Sequence, residues 1–225
     1  DNSVFVFHDA RFVEVHDGSV WTKSKADFYF WERYFEEFDS VNVVARVSRQ
    51  KKVDSSFALS SRGGVNFIPI VSYRGVSGYL KYFFPIFIQL LKLRRKISKT
   101  NSAVIFRIPL SLGFFMPFLF SRYGVEVVGD PFDSVKSGNP GLRTLVLGLL
   151  LRCKMNFEIF GAAGSSYVTK NSLQKRYPPF LNEMTTSYSS VCLTHDDFIG
   201  GFNLHREGTP FRLVSVGSLE HSRSE

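Results

Sequence analysis

The sequence has little that would mark a metal, redox or secreted protein. Among 225 residues there are two cysteines, Cys153 and Cys192, too few for a thiolate metal set or a disulfide framework. Nothing in that usage argues for an oxidising compartment, and Cys153, set in an apolar helical pattern, is expected to be a buried thiol. His8, His16, His195, His205 and His221 show no metal-ligand spacing, and His195-Asp196-Asp197 in its Gly-rich surroundings reads as solvated turn chemistry. There is no G-x-G-x-x-G, no Walker loop and no G-x-S-x-G elbow. No apolar run reaches the roughly 18 residues of a membrane span. The nearest, YLKYFFPIFIQLLKLRRK at 79–96, is interrupted by Lys81, Pro85 and Gln89. No signal peptide opens the chain, which starts at Asp1 without Met, so it is expected to be a piece of a longer protein.

What is present is basic and aromatic. With 28 Lys and Arg against 20 Asp and Glu the net charge is +8, which favours anionic partners. Nucleic acid is not expected among them, because no recognition module is visible. The 24 Phe imply a thick aromatic core or an apolar surface that meets a membrane or a partner. The densest cationic stretch, KLRRKISK at 92–99, closes an apolar helical pattern. It reads either as a solvated helix end suited to the dipole or, through Arg94, Arg95 and Lys96, as a contact with an anionic membrane surface.

Short apolar strands alternate with amphipathic helices. Strands are expected at 4–7, 41–47, 65–71, 103–108, 125–128 and 164–169, and helices from 28 to 38, 79 to 96, 142 to 160 and 171 to 176. Nearly all-apolar strands in such alternation belong to a parallel sheet covered on both faces, which predicts an α/β, Rossmann-like, doubly wound domain over 1–178. Residues 179–210 read as a linker, and 211–216 as the first strand of something further. Ligands of such sheets bind beyond the carboxyl ends of the strands. Those ends carry His8 and Asp9, Arg46, the 72–74 segment, Arg107, Asp130, and Thr169 with Lys170.

Each candidate admits two readings. The loop after the first strand, with Asp17, Gly18 and Ser19, could receive a phosphate at a helix N-terminus or be a plain connection. Arg107 could contact an anion or sugar, or could pair with a neighbouring strand end such as Asp130. Asp130, before Pro131, could bind sugar hydroxyls or act as a base, or could be a turn residue.

Several segments taken in order, FYFWERYFEEFDSVNVVARVS, AVIFRIPLSLG, GVEVVGDPFDS, SSYVTKNSLQKRYPP and FRLVSVGSLE, resemble family 4 glycosyltransferases, enzymes that build bacterial cell-surface polysaccharide. The resemblance implies a GT-B architecture in which the first domain receives the acceptor and the second binds a nucleotide-sugar donor. It further implies metal-independent transfer with retention at the anomeric carbon, no cofactor beyond the donor substrate, and a polysaccharide or lipid-linked glycan acceptor. Carried over residue by residue, it places Asp17, Gly18, Ser19, Arg107, Pro131 and Lys170 as substrate contacts and Asp130 as the catalytic or acceptor-contacting carboxylate. A cytoplasmic location, peripheral to the inner face of the plasma membrane, follows from the same resemblance. It puts the donor motifs after residue 225, so these residues alone are expected to transfer no sugar. The competing class is a non-catalytic Rossmann-like module that holds an anionic or sugar-containing ligand.

Overall fold

The structure, a computed structural model, describes residues 2–112, 115–132, 141–180 and 184–189. The chain divides into two compact units, Asp1–Ser190 and Val191–Glu225, and all described residues belong to the first. The expected strand at 211–216, the His195 stretch and Cys192 lie outside them.

In chain order the elements are β1 (Ser3–Glu14), β2 (Val20–Thr22), α1 (Phe28–Glu32), β3 (Ser40–Arg49), β4 (Ala58–Leu59), β5 (Val65–Ile70), α2 (Gly75–Lys81), α3 (Phe83–Ile97), β6 (Ala103–Ile108), α4 (Met116–Leu119), β7 (Gly124–Val127), α5 (Leu142–Phe160), β8 (Gly164–Tyr167), α6 (Ser172–Arg176) and β9 (Met184–Ser187). Seven strands run parallel in the order β5-β3-β1-β6-β7-β8-β9. Short β2 and β4 add antiparallel beside the far half of β1. The molecule is thus a mixed α/β protein built on a mostly parallel sheet, compatible with a Rossmann-like fold.

Alternation along each strand explains the two faces. Phe5 and Phe7 of β1, Val104, Phe106 and Ile108 of β6, and Val125 and Val127 of β7 point to one side. There they meet Ile86, Leu90, Leu93 and Ile97 of α3, Met116 and Leu119 of α4, and Met155 and Ile159 of α5. Val4 and Val6 of β1 with Val41, Val43 and Ala45 of β3 point to the other, under Trp31 of α1 and Tyr34. The spacing of the α3 residues is the apolar stripe of an amphipathic helix. Aromatic edges lock the first core: the Phe7 and Phe106 rings lie 5.2 Å apart edge to face, and Phe106 stacks on Tyr123 at 4.5 Å.

Several elements differ from the sequence expectation, each for a local reason. The first strand does not stop at Phe7. Its register with β3 shifts between Phe7 and Arg11 and then continues to Glu14, so the polar run His8-Asp9-Ala10 is an irregularity inside a strand rather than its end. The helix expected over 79–96 is two helices that break at Tyr82. Pro85 falls in the first turn of the second, where its missing N–H costs nothing, whereas a continuous helix would press its ring on the carbonyl of Lys81. Helix α1 ends at Glu32, and the turns that follow are tight, with Tyr34 N–H donating to the Trp31 carbonyl at 3.0 Å. Met184–Ser187, in the stretch read as linker, pairs in parallel with β8. Cys153 is exposed, not buried: α5 turns Met155 and Ile159 inward, which sends Cys153 outward together with Leu149, Leu150 and Phe157. The same helix buries a Lys154–Glu158 ion pair one turn apart.

Phe106, fully buried at the centre of the first core, sets a stability test. Phe106→Ala is expected to lower unfolding free energy by about 3–5 kcal/mol, read as a reduced urea midpoint. A loss within the range of surface substitutions would contradict the packing described.

Candidate functional site

The sheet order reverses between β1 and β6, the place where open α/β sheets leave a crevice for ligands. The β1 irregularity puts Asp9 there. Its carboxylate accepts hydrogen bonds from the Ser111 backbone N–H at 2.9 Å and from the Ser111 hydroxyl at 2.5 Å, and lies 3.2 Å from the Arg46 guanidinium. Arg46, at the β3 position level with the irregularity, is 8 % exposed and also donates to the carbonyl oxygens of Asp9 and Tyr73. The Tyr73 hydroxyl, 2.7 Å from the Ser111 hydroxyl, closes the set, and Arg46 lies over the Tyr73 ring at 5.0 Å. Side chains from β1, β3, the segment after β5 and the segment after β6 therefore form one network. Sequence reading flagged Asp9, Arg46 and the 72–74 segment only by position; Ser111 carried no signal.

A second group sits on the α1 side of β6 and β7. The Glu126 carboxylate takes Arg107 at 2.6 Å and Arg33 at 3.1 Å on one oxygen and the Tyr34 hydroxyl at 2.8 Å on the other. The Tyr188 hydroxyl, just past β9, accepts from Arg107 at 3.0 Å. Both guanidiniums cover the Phe30 ring, at 4.3 and 4.5 Å. Arg107 thus pairs with a neighbouring strand, as one of its two readings had it, but the partner is Glu126 rather than Asp130. Burial and then the Glu126 charge push the Tyr34 hydroxyl far above its usual range, so it stays a donor.

His8 lies between the two groups, with its ring 5.6 Å from Trp31 and 5.7 Å from Phe30. Its Nδ1 accepts the Ala10 backbone N–H at 2.9 Å. Burial first, then the charges of Arg107 and Arg33, lower its pKa to about 3, so the ring is neutral and Nε2 carries the proton.

Asp130 stands apart, past β7. Its carboxylate accepts from the Tyr177 hydroxyl at 2.6 Å, Arg176 at 2.8 Å and the Phe132 N–H at 2.8 Å. Burial alone would raise its pKa, but these donors together hold it below the usual carboxylate range. Pro131 is buried beside it, and Lys170 is exposed nearby in sequence. Thr169, Ser172 and Arg176 line a small open hollow of 260 Å³ with Asp130.

The loop expected to approach phosphate is elsewhere. Because β1 runs on to Glu14, Asp17, Gly18 and Ser19 cap the β1–β2 hairpin. There the exposed Asp17 carboxylate accepts the Ser19 N–H at 2.8 Å and Gly18 holds φ at 81°. This is an Asx turn that needs a residue tolerant of positive φ, and no helix begins at it. Arg94, Arg95 and Lys96 are exposed on the last turn of α3. Among the described residues no group of His, Cys, Asp and Glu could hold a metal ion, and no helix is long and apolar enough to cross a membrane. In comparisons with family models, curated proteins and solved structures, nothing matched the chain.

The neutral His8 predicts acid sensitivity. Its folded pKa is depressed, so the unfolded chain takes the proton first as pH falls below about 6.5, and the stability it contributes is present above that pH and lost below it. Unfolding free energy is expected to fall by roughly 1 kcal/mol per pH unit between pH 6 and 4, with the decline flattened in His8→Gln. A wild-type stability constant over that range, from urea melts, would contradict it.

Proposed function

We propose that this chain is the acceptor-side domain of a GT-B glycosyltransferase, an enzyme that moves a sugar from a nucleotide-sugar donor to a polysaccharide or lipid-linked glycan. The observation that carries the reading is the hydroxyl-recognising set at the sheet reversal: a carboxylate, a serine hydroxyl and a tyrosine hydroxyl joined by hydrogen bonds of 2.5 and 2.7 Å. Such groups can exchange their mutual bonds for bonds to sugar hydroxyls with little net cost. The ordered segments that resemble family 4 glycosyltransferases support it, as does a parallel sheet with helices on both faces, read here as doubly wound. In this reading Asp9 takes the acceptor-contact role that sequence alone gave to Asp130. The Asp9 side chain is 38 % exposed and the Asp130 side chain 4 %, so the first is the more accessible of the two. In this reading the task needs no metal or cofactor. The donor's diphosphate would be met by cationic groups of the partner domain, where electrostatic stabilisation of the leaving group is supplied.

A membrane-side role accompanies it. Phe84 on α3 and Phe118 on α4 are 73 % and 72 % exposed, and the α3 end adds Arg94, Arg95 and Lys96. Exposed aromatics and clustered cations at the two ends of α3 suit an anionic bilayer surface, where a lipid-linked acceptor would be presented at the inner face of the plasma membrane.

Two measurements test these statements. Oligosaccharides of bacterial cell-surface type are expected to shift the NMR signals of Asp9, Ser111 and Tyr73, with Asp9→Asn weakening affinity about tenfold. No shift with any of them would sink the acceptor role. Binding that never leads to transfer when the complete gene product is given nucleotide sugars favours the non-catalytic module instead. Separately, phosphatidylserine vesicles should sediment the protein. R94Q/R95Q/K96Q should reduce this by on the order of tenfold or more, since each such charge contributes about 1 kcal/mol; unchanged sedimentation would count against membrane contact.

A further inference from the structure

Beyond the reversal network, on the outer side of Arg46, an open cleft of 620 Å³ lies between the far half of β1, the segment after β2 and the loop before α2. Its charged lining is Arg11, Lys23, Arg46 and Arg74, against the single carboxylate of Asp9, and Phe57 forms an apolar wall. Asp9 lies 3.2 Å from Arg46, which offsets its charge. Lys23 reaches Asp54 at 3.4 Å, but the two side chains are 58 % and 63 % exposed, so water screens that pair. Among the described residues no acidic group, hydrogen bond or aromatic ring engages the Arg11 or Arg74 side chain. Two guanidiniums and an ammonium thus converge on a cleft whose only carboxylate is already neutralised. Like charges facing one concavity repel, and a ligand oxyanion relieves that repulsion while matching the planar fork of each arginine.

We propose that this cleft is a binding site for a phosphate monoester, held by Arg11 and Arg74 with Lys23, whose ammonium lies over the Phe57 ring at 4.6 Å. Arg46, fixed by Asp9, Tyr73 and the Asp9 carbonyl, forms a rigid cationic floor that the ligand need not order. The site shares Asp9 and Arg46 with the acceptor set but needs neither a sugar donor nor turnover, so ligand binding tests it apart from the transferase reading.

Calorimetric titration with glucose 1-phosphate at low ionic strength tests it, with glucose as the neutral control and phosphatidic acid vesicles as a lipid source of the same group. The expected result is saturable binding of glucose 1-phosphate, no binding of glucose, and a loss of tenfold or more in R11Q/R74Q, corresponding to about 1.4 kcal/mol or more. R122Q/K175Q removes the same charge from exposed positions outside the cleft and should leave the affinity within twofold. Equal weakening in both double variants overturns the proposal, since net charge would then explain the binding. So does an absence of binding by the wild-type protein. Vesicle binding that R11Q/R74Q abolishes, without any response to glucose 1-phosphate, overturns the soluble ester in favour of a lipid headgroup. Should R11Q/R74Q fail to fold, the arginine Nε–H signals of the wild-type protein decide: those of Arg11 and Arg74 must move with ligand, and their constancy overturns the site.

Discussion

Everything at the carboxyl edge depends on β1 passing through the sheet reversal without ending there. Its first half pairs with β3 on one side and β6 on the other; its second half keeps β3 but exchanges β6 for β2. Between the halves the backbone has no β6 partner, and the strand must re-aim its side chains. His8, Asp9 and Ala10 are the residues that do so. One local irregularity therefore delivers a neutral imidazole to the α1 face and a carboxylate to the crevice, and opens the basic cleft beside the strand's continuation. A strand that stopped at Phe7 would have none of these.

The charges around β1 follow a single rule. Each guanidinium near the core is matched by one carboxylate, and each carboxylate serves more than one donor. Glu126 accepts from Arg107, Arg33 and Tyr34; Asp9 serves Arg46 and Ser111; Asp130 serves Arg176, Tyr177 and the Phe132 N–H. Partly buried charges need such sharing, because desolvation costs several kcal/mol per ion unless good geometry offsets it. Arg11 and Arg74, outside the rule, are exposed at the cleft, so the lack of partners among the described residues costs the fold little.

Much of the framework was legible in the sequence because apolar alternation is a strong signal. The bounds of β6 and of α5 follow from the letters, since both are apolar runs bounded by breakers. The site was less legible. HDAR after an apolar run looks like a strand end, and nothing in the letters distinguishes an end from an irregularity whose pairing resumes three residues later. That single ambiguity moved Asp17, Gly18 and Ser19 from a hairpin tip into an imagined phosphate loop. Arg107 admits two readings from sequence, an anion or sugar contact and a pair with a neighbouring strand end, and its partner on the adjacent strand is fixed by register, which sequence does not specify. Glu126, Ser111 and Tyr188 gave no sign because their roles exist only once four separate segments meet. Cys153 was misplaced because α5 is apolar on most sides, and a helix without a polar face gives no phase.

That missing phase on α5 has its own logic. A helix whose outward side carries Leu149, Leu150, Phe157 and Phe160, while its inward side carries a Lys154–Glu158 pair, inverts the usual distribution of polarity. Burying the pair is costly: desolvation raises the Glu158 pKa, Lys154 offsets this only in part, and one Glu158 oxygen has no hydrogen-bond partner among the described residues. Rotating the helix by half a turn would relieve that cost and bury the leucines instead. It does not rotate because Met155 and Ile159 are fully enclosed under β7 and β8 beside Tyr123, whose hydroxyl donates to the Glu158 carbonyl at 2.9 Å. The orientation is therefore set by a few tight contacts near the C-terminal end of the helix, and the exposed apolar stripe along the remainder is their consequence. With Phe118 resting on Phe157 at 5.2 Å, that stripe joins α4 to α5 in one aromatic surface. The same helical layer thus carries both this apolar surface and the cationic last turn of α3.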